Sequence, residues 1–396
     1  MRTGAVRPLA RLAACAGLLL MAAAAPVLSQ PLAHAALEPV PFAELEGWSS
    51  DDHAAAFAAF RVSCRAIAEG SPALRAAAAP PPAFIPICRR ALEVSAWSDA
   101  AATRAFFEQH FEPMRVRPHN GQGFLTGYFE PEIAGARAPS SDFNAPVLAR
   151  PDDLVTLGPG DERGNLDPAL AAARRTPAGL EPFPDRAAIL DGALAGQGLE
   201  RLYLRDRVEL FIVQVQGSAR VRLDDGRLMR LTYSGRNGHP YTSIGRILID
   251  EGRIAAADMS LEILMDWLRA HPAEADAVMR RNRSYVFFEV SESIDPARGP
   301  IGGAGVPLTP GRSLAVDRSL WAYGLPVFVG ADIATLGQSA GRLRRLTVAQ
   351  DTGSAIVGPA RADFFWGSGT EAGRLAGLTR HRLDFVVLWP KQGPVP

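Results

Sequence analysis

Two aspartates, Asp351 and Asp363, stand twelve residues apart in the stretch VAQDTGSAIVGPARADFFWG, among small, apolar and aromatic neighbours. A third, Asp317 in LAVDRSLWAYG, also interrupts an apolar run. Ionised carboxylates are costly to bury, so the pattern has two readings. In the plainer one, each aspartate ends a strand and accepts hydrogen bonds from backbone N–H groups of a turn; pattern alone favours it. In the sharper one, Phe364, Phe365 and Trp366 strip water from Asp363. Its pKa then rises, and it stays protonated near neutral pH as an acid that cleaves glycosidic bonds must. Aromatic faces also stack on sugar rings, so the same neighbours would serve substrate binding.

Other chemistry finds less support. The seven histidines are scattered, with no H-E-x-x-H, no C-x-x-C and no EF-hand loop, so no metal site is expected. His239, in SGRNGHPYTSIG, reads as a loop histidine bonded to its surroundings. Ser218, in VQGSAR, lacks the nucleophile-elbow pattern. The glycines between 299 and 305 open no dinucleotide-binding helix and no Walker lysine exists, so they read as a flexible hinge. Lys and Arg number 42, as do Asp and Glu. With zero formal net charge and no basic patch interleaved with aromatics, nucleic acid is not an expected partner.

The elements that must carry these residues follow from pattern. Residues 1–35 have Arg2, Arg7 and Arg11, then an apolar run from Leu12 to Leu28, then Ala33-His34-Ala35. This is the layout of a secretory signal peptide with cleavage after Ala35, and Cys15 precedes the apolar run rather than following it, the wrong order for a lipoprotein signal. Export makes Cys64 and Cys88 a natural disulfide, the alternative being two buried thiols.

Residues 49–70 read as a capped helix, and Ser98 is expected to cap a second, DAAATRAFFEQHF. FLTGYFEPEIAGA has strand character, and residues 139–186, rich in Pro, Gly, Asp and Arg, read as long surface connections. RLYLRDRVELFIVQVQGSARVRLDDGRLMRLTYSG reads as three strands with a tight turn at Asp225-Gly226. TSIGRILIDEGRI and SLEILMDWLRAHPAEADAVMRRN read as one helix each, and SYVFFEV as a strand. SLAVDRS, LPVFVG, RRLTVAQD, ADFFWG and LDFVVLWP then form a run of short strands typical of a barrel or sandwich.

Taken together, LTGYFEPEI, FIVQVQGSARVRLDDG, YSGRNGHPYTSIGRILIDEG, MSLEILMDWLRAHP, SYVFFEV, AVDRSLWAYG, AQDTGSAIVG and ADFFWGSGTEAG occur in an order that resembles the membrane-bound lytic murein transglycosylase A family. The resemblance runs from about Gly123 to the C-terminus, and Asp317, Asp351 and Asp363 are similar to the aspartates that name the family's three-aspartate (3D) domain. It implies a mainly β fold with helices: a double-psi β-barrel, an inserted mixed α/β domain, and a substrate groove between them. The implied division is a signal peptide (1–35), N-terminal helices with the first part of the barrel (36–135), the inserted domain (136–291) and the rest of the barrel (292–396).

The resemblance also implies a peptidoglycan lytic exotransglycosylase, a lyase that cleaves the β-1,4 bond between N-acetylmuramic acid and N-acetylglucosamine and leaves a 1,6-anhydro end. The residues themselves leave endo or exo cleavage open. Carried over, the catalytic acid falls on Asp363 with Asp351 as its partner, while Tyr128, Gln214, Gln216, Ser218, Asn237, Tyr241 and Asp317 stand on motifs that would hold sugars. No cofactor or metal is implied. The implied partners are peptidoglycan glycan strands, with cell-wall synthesis or division complexes as candidates, for an exported, periplasmic monomer, association with the outer membrane being the open alternative. Two residues before the acid, where the family carries histidine, this chain has Arg361. Open alternatives are a glycan hydrolase using Asp363 and Asp351 as acid and base, and a wall-binding barrel that cleaves nothing.

Overall fold

The computed structural model describes Met1 and residues 34–392 apart from 96, 159, 293–294, 296–297 and 334–340. The expected signal peptide, with Cys15, lies almost wholly outside the described residues. Among those residues, no helix is long and apolar enough to cross a membrane.

The chain begins with β1 (Ala35–Pro39), then α1 (His53–Glu69), α2 (Phe84–Glu93) and α3 (Ala100–His110). It continues through β2 (Phe111–Pro118), β3 (Phe124–Glu130), β4 (Glu132–Ala136), β5 (Ala145–Leu148), β6 (Leu154–Thr156), β7 (Ala172–Thr176) and β8 (Gly179–Pro182). Next come α4 (Arg186–Leu190), β9 (Glu200–Leu204), α5 (Arg207–Gln216), β10 (Ser218–Arg222) and β11 (Leu228–Arg236). Three helices follow, α6 (Ile244–Asp250), α7 (Leu261–Ala270) and α8 (Pro272–Arg281), then β12 (Val286–Ser291). The last part holds β13 (Ser313–Val316), β14 (Pro326–Asp332), β15 (Arg342–Asp351), β16 (Arg361–Ser368), α9 (Thr370–Leu378), β17 (Arg380–Arg382) and β18 (Asp384–Pro390).

Among the described residues the fold is mostly β with some helices, arranged as a nine-stranded sheet, a six-stranded sheet and a three-stranded sheet. The nine strands run β1-β2-β18-β14-β15-β13-β16-β3-β17, and no pairing closes β17 onto β1. Two neighbours are parallel, β13 with β15 and β16 with β3; the other pairs are antiparallel. The six-stranded sheet, β12-β11-β10-β4-β9-β5, packs Val147, Leu202, Leu231 and Phe288 against Leu210 and Val213 of α5.

Helices α1 to α3 share an aromatic core of Phe57, Phe60, Phe84, Phe106, Phe107 and Phe111. Cys64 of α1 is disulfide-bonded to Cys88 of α2. This cluster is tied to the nine-stranded sheet by polar contacts. Asp51, just before α1, takes a bidentate pair from Arg312 (2.9 and 3.0 Å) and a bond from the Leu346 N–H. Gln350 of β15 donates to the Ala59 carbonyl (3.1 Å) and to Ser63 Oγ (2.9 Å), so α1 holds the strand end that carries Asp351.

Several elements differ from the expectations. VELFIVQVQ is helix α5, not a strand. Asp206 caps it by accepting from the Glu209 N–H, and Gly217 ends it at φ 84°. It is sandwiched, with Leu210 and Val213 on the six-stranded sheet and Val208, Phe211 and Ile212 among α6 to α8, so apolar residues occupy almost every side and no helical stripe shows. The single helix expected over residues 260–282 is two, broken where Pro272 starts α8. Asp99, not Ser98, caps α3. Residues 139–186 hold β5 to β8, strands of three to five residues that are too short to display alternation. The glycines at 299–305 are a packed loop rather than a hinge: a Cβ on Gly302 would lie 2.6 Å from the Gln350 carbonyl, and one on Gly303 would lie 2.6 Å from the Tyr323 hydroxyl.

The two larger sheets are joined at Glu130. It ends β3, and after Pro131 the chain enters β4 of the other sheet. The Glu130 carboxylate is fully buried and accepts from Arg230 Nε (2.7 Å), Arg220 Nε (2.8 Å) and Ser368 Oγ (2.7 Å). The arginines belong to β10 and β11 and the serine to β16, so one carboxylate fastens both sheets. Removing it strands two cations with little solvent. Glu130→Ala is expected to lose about 3–5 kcal/mol of stability, read from the urea midpoint; an unchanged midpoint would remove Glu130 from this role.

Candidate active site

Asp351 and Asp363 meet because of strand register. Ala315 of β13 pairs with Asp351 on one side, through the parallel β15, and with Asp363 on the other, through the antiparallel β16. The methyl side chain of alanine between them leaves the carboxylates room to face a common space. On the far side of β16, parallel β3 places Thr126 beside Asp363 and Tyr128 beside Phe365. Alternation along a strand then puts Thr126 and Tyr128 on the face shared with the aspartates.

The two carboxylates are held differently. Asp351 accepts from the Gly303 N–H (2.7 Å), the Thr352 N–H (2.8 Å) and the Tyr128 hydroxyl (2.9 Å). Asp363 accepts from Thr126 Oγ1 (2.6 Å). Arg361 Nη2 in turn donates to that same Thr126 oxygen (2.8 Å). With its lone pair engaged by the guanidinium, the threonine hydroxyl aims its hydrogen at Asp363 Oδ1.

Burial pushes Asp363 up to about 6, against the pull of the Arg361 charge and the Thr126 bond, with the Asp351 charge adding to the rise. Burial raises Asp351 too, but the Arg75 charge and bonds from Gly303, Thr352 and Tyr128 all favour its ionised form. A carboxylate with three donors resists protonation better than one with a single donor, so a proton shared by the pair rests on Asp363. Burial, and then the Asp351 charge, hold the Tyr128 hydroxyl well above its ordinary range, so it remains a donor.

Both aspartates line a cavity of about 190 Å³ together with Tyr128, Gln214, Gln216 and Tyr241. Ser218 lines a small adjoining cavity that shares Tyr128, Gln216 and Asp351. Gln214 is held in place by Arg186 Nη1 (2.6 Å) and by its own bond to the Val286 carbonyl (3.1 Å), and Gln216 Oε1 accepts from the Phe129 N–H (3.3 Å). Five of the residues singled out in the sequence thus gather around the aspartates.

Two do not. Asn237 is fully buried, donates to the Pro184 and Arg283 carbonyls and accepts from the Tyr285 N–H, which leaves it no free group for a ligand. Asp317 accepts from Ser319 and from the Gly358 N–H and lines neither cavity. It organises the turn after β13 and the loop before β16. The aromatic triplet also plays another part. Phe364 and Phe365 are fully buried, the half-buried Trp366 packs beside Phe129 and Ala372 and donates to Thr379 Oγ1, and none of the three lines either cavity.

The larger cavity, about 820 Å³, contains neither aspartate. Its Arg115 is paired with Asp384 and its Arg344 with Glu46 and Asp332. Thr126, Arg75, Tyr233 and Arg236 are site residues that sequence reasoning passed over. Thr126 had a signal, being two positions from Tyr128 on the same strand face. Arg75 had none, since it lies in the loop between α1 and α2, where its N–H donates to the Gly303 carbonyl (3.1 Å).

Two family models match: the MltA-specific insert domain over residues 124–289 and the 3D domain over residues 312–389. A crystal structure of a membrane-bound lytic murein transglycosylase from Agrobacterium tumefaciens is 37% identical, with 90% of this chain and 98% of that chain covered and a TM-score of 0.81. The chain belongs to the membrane-bound lytic murein transglycosylase A (MltA) family. MltA from Neisseria gonorrhoeae has the same fold at 29% identity, with 91% and 94% coverage and a TM-score of 0.73. The Vibrio cholerae protein named membrane-bound lytic murein transglycosylase A is 34% identical over 268 residues, 66% of this chain and 64% of that relative. The matched stretch therefore spans less than two thirds of that curated relative. The insert model begins on β3, at the strand that supplies Thr126 and Tyr128, and the 3D model carries both aspartates.

A pKa of about 6 on Asp363 has a sign that stability measurements can read. Between its ordinary value near 3.8 and about 6, the folded state holds a proton that the unfolded state has released. The contribution is complete below the unfolded value and is lost as pH rises through the folded one. Asp363→Asn removes this term, and is expected to gain stability relative to the unsubstituted protein by roughly 2 kcal/mol on going from pH 4 to pH 7. Thr126→Val, which deletes the bond to the ionised form, should move the Asp363 titration higher in ¹³C NMR of the side-chain carboxyl. A titration left at 3.8 in both proteins would contradict the assignment.

Proposed function

We propose that this protein is a lytic transglycosylase of peptidoglycan, with Asp363 as its acid. The observation that carries this reading is the contrast between the aspartates: burial raises both, but Asp363 has a single hydrogen bond to oppose the rise, whereas Asp351 has three and the Arg75 charge. The names of its relatives support the substrate, murein.

Asp363 gives its proton to the oxygen linking N-acetylmuramic acid to N-acetylglucosamine as the bond from that oxygen to C1 breaks. The C6 hydroxyl of the same muramic acid residue attacks C1, and Asp363, now a carboxylate, takes the hydroxyl proton. The product carries a 1,6-anhydro ring and the acid is restored. Attack within one sugar supplies its own effective concentration, so no second carboxylate has to activate water. Asp351 suits a supporting role: with both oxygens engaged by donors, its charge steadies the positive character growing at C1 and keeps the proton on its neighbour. The same engagement makes it a poor base for water, which disfavours a two-carboxylate hydrolase.

Tyr128, Gln214, Gln216, Tyr241 and Ser218 are the groups assigned to sugar hydroxyls and acetamido groups in this reading. The finer architecture proposed is a double-psi barrel, residues 36–135 with 292–396, and an inserted domain, residues 136–291. The two parallel pairs in an otherwise antiparallel nine-stranded sheet support it. The proposed setting is the periplasm of an exporting cell, close to a membrane as the relatives' names state, with wall-synthesis or division complexes as partners.

Digestion of purified sacculi followed by mass spectrometry tests the chemistry. Anhydro-ended fragments are expected, and reducing-end sugars in their place would overturn the proposal. Asp363→Asn should lower the rate by about 10²- to 10⁴-fold, the usual worth of general acid catalysis. Because the acid must be protonated, the rate should fall about tenfold per pH unit once pH exceeds the Asp363 pKa near 6. A rate that rises with pH through this range would exclude Asp363 as the proton donor.

A further inference from the structure

Several buried or half-buried arginines in this chain face a carboxylate. Arg312 pairs with Asp51, Arg220 and Arg230 with Glu130, and Arg344 with Glu46 and Asp332. The four arginines on the wall of the cavity that holds Asp351 and Asp363 do not: Arg186 is fully engaged by Gln214 and two carbonyls, and Arg361 by Thr126 and the Ala362 carbonyl. Arg75 and Arg236 are the other two, and neither makes an ion pair within 4.0 Å among the described residues. Arg75 donates to the Thr352 carbonyl (3.2 Å) and lies 4.0 Å above the ring of Tyr233, while Arg236 donates to Ser354 Oγ. Their direct contacts are neutral oxygens and an aromatic face; Asp351, whose ionised form the Arg75 charge favours from beyond ion-pair distance, is the one anion the two guanidiniums share the cavity wall with besides Asp363. Arg75 and Arg318 both press on the charge of Arg236, whose pKa is lowered chiefly by burial and further by these two neighbours.

Like charges gathered at a partly desolvated wall repel one another, and an anion bound there relieves that cost. The neutral sugars of a glycan cannot do this. In the substrate assigned above, anionic groups sit on the peptide branch that the lactyl ether of muramic acid carries. Apolar side chains left in solvent along the same walls match the rest of such a branch. Val215 is 42% exposed on the main cavity, and Leu74 and Ile301 are 50% and 38% exposed on the adjoining one that Arg75 also lines. Together with Met1, Trp97, Ile263 and Val357 they make up the large exposed apolar residues among those described, so three of the seven lie on these two cavities.

We propose that Arg75 and Arg236 form a subsite for a carboxylate on the peptide branch of peptidoglycan, with Leu74, Val215 and Ile301 receiving its small apolar side chains. This rests on the murein reading of the same cavity and deepens it: the enzyme recognises strands that still carry their peptides. Arginine suits the task because its planar fork binds a carboxylate through two parallel hydrogen bonds.

Equilibrium binding to the full chain carrying Asp363→Asn, which holds strands uncleaved, tests the subsite. The probes are short glycan strands with native peptides and the same strands with peptide carboxylates converted to amides. Amidation is expected to weaken binding roughly tenfold, the order of a charge-assisted bidentate contact at a half-buried site. Adding Arg236→Gln should shrink that difference to less than about twofold, and Arg236→Lys should keep part of it. Equal binding of native and amidated strands would overturn the subsite, and that comparison needs no change at either arginine. Retention of the whole difference in Arg236→Gln would overturn the role of Arg236. Inorganic phosphate that competes with native strands while amidation has no effect would assign the arginines to a phosphate instead and overturn the carboxylate. The proposal stands apart from the acid chemistry: absence of anhydro products would remove the reaction and leave the binding difference to be measured, whereas equal binding would remove the subsite and leave Asp363 as acid.

Discussion

A buried carboxylate with no catalytic part to play governs the geometry of the site. Glu130 sits where the chain leaves the nine-stranded sheet for the six-stranded one, and it binds Arg220 and Arg230 on one side and Ser368 on the other. The cavity has the same dual ancestry. Its aspartates come from β15 and β16, Tyr128 from β3, and Gln214 and Gln216 from α5. A shift of either sheet would separate the proposed acid from the groups assigned to its substrate. Two arginines on one glutamate cost more in desolvation than an apolar joint would, and what they supply in return is a single register, since a carboxylate can satisfy both guanidiniums and a serine in only one arrangement.

Within that frame the difference between two chemically identical side chains is one of hydrogen-bond count. Burial raises both aspartates. Asp351 recovers the lost hydration through Gly303, Thr352 and Tyr128, while Asp363 has Thr126. The loop that supplies Gly303 can approach so closely only because it has no side chain at that point, its Cβ position lying 2.6 Å from the Tyr323 hydroxyl. The N-terminal helices, which have no residue at the reacting centre, secure the other side of the same aspartate through Gln350 and deliver Arg75 to the cavity.

What could be read from the sequence depended on whether the signal was local. The strands carrying Asp351 and Asp363 were legible because β-branched and aromatic residues run between turns, and Asp363 beside an aromatic triplet was legible as a carboxyl short of water. The partnership of the two aspartates across Ala315 was not, because strand order β15-β13-β16 is a property of non-local pairing. Helix α5 was hidden by burial on both of its sides. Asn237 and Asp317 show the limit from the other side: a polar residue in a distinctive motif can serve the backbone as readily as a ligand, and only its partners distinguish the two.

Arg361 is where this chain departs from the family resemblance, and its surroundings explain how the departure is tolerated. A histidine at that position would titrate in the same range as the acid it helps to tune. Arginine stays charged there even though burial pulls it below its ordinary value. Its direct bond is to Thr126 rather than to Asp363, so it acts by fixing the direction of the threonine hydroxyl. Its charge does lower Asp363, but less than burial raises it, and the net value near 6 survives. A permanent cation is compatible with a protonated neighbour here because a neutral hydroxyl stands between them; were the guanidinium to bond the carboxylate directly, the pair would favour an ionised Asp363, which could not serve as the proposed proton donor.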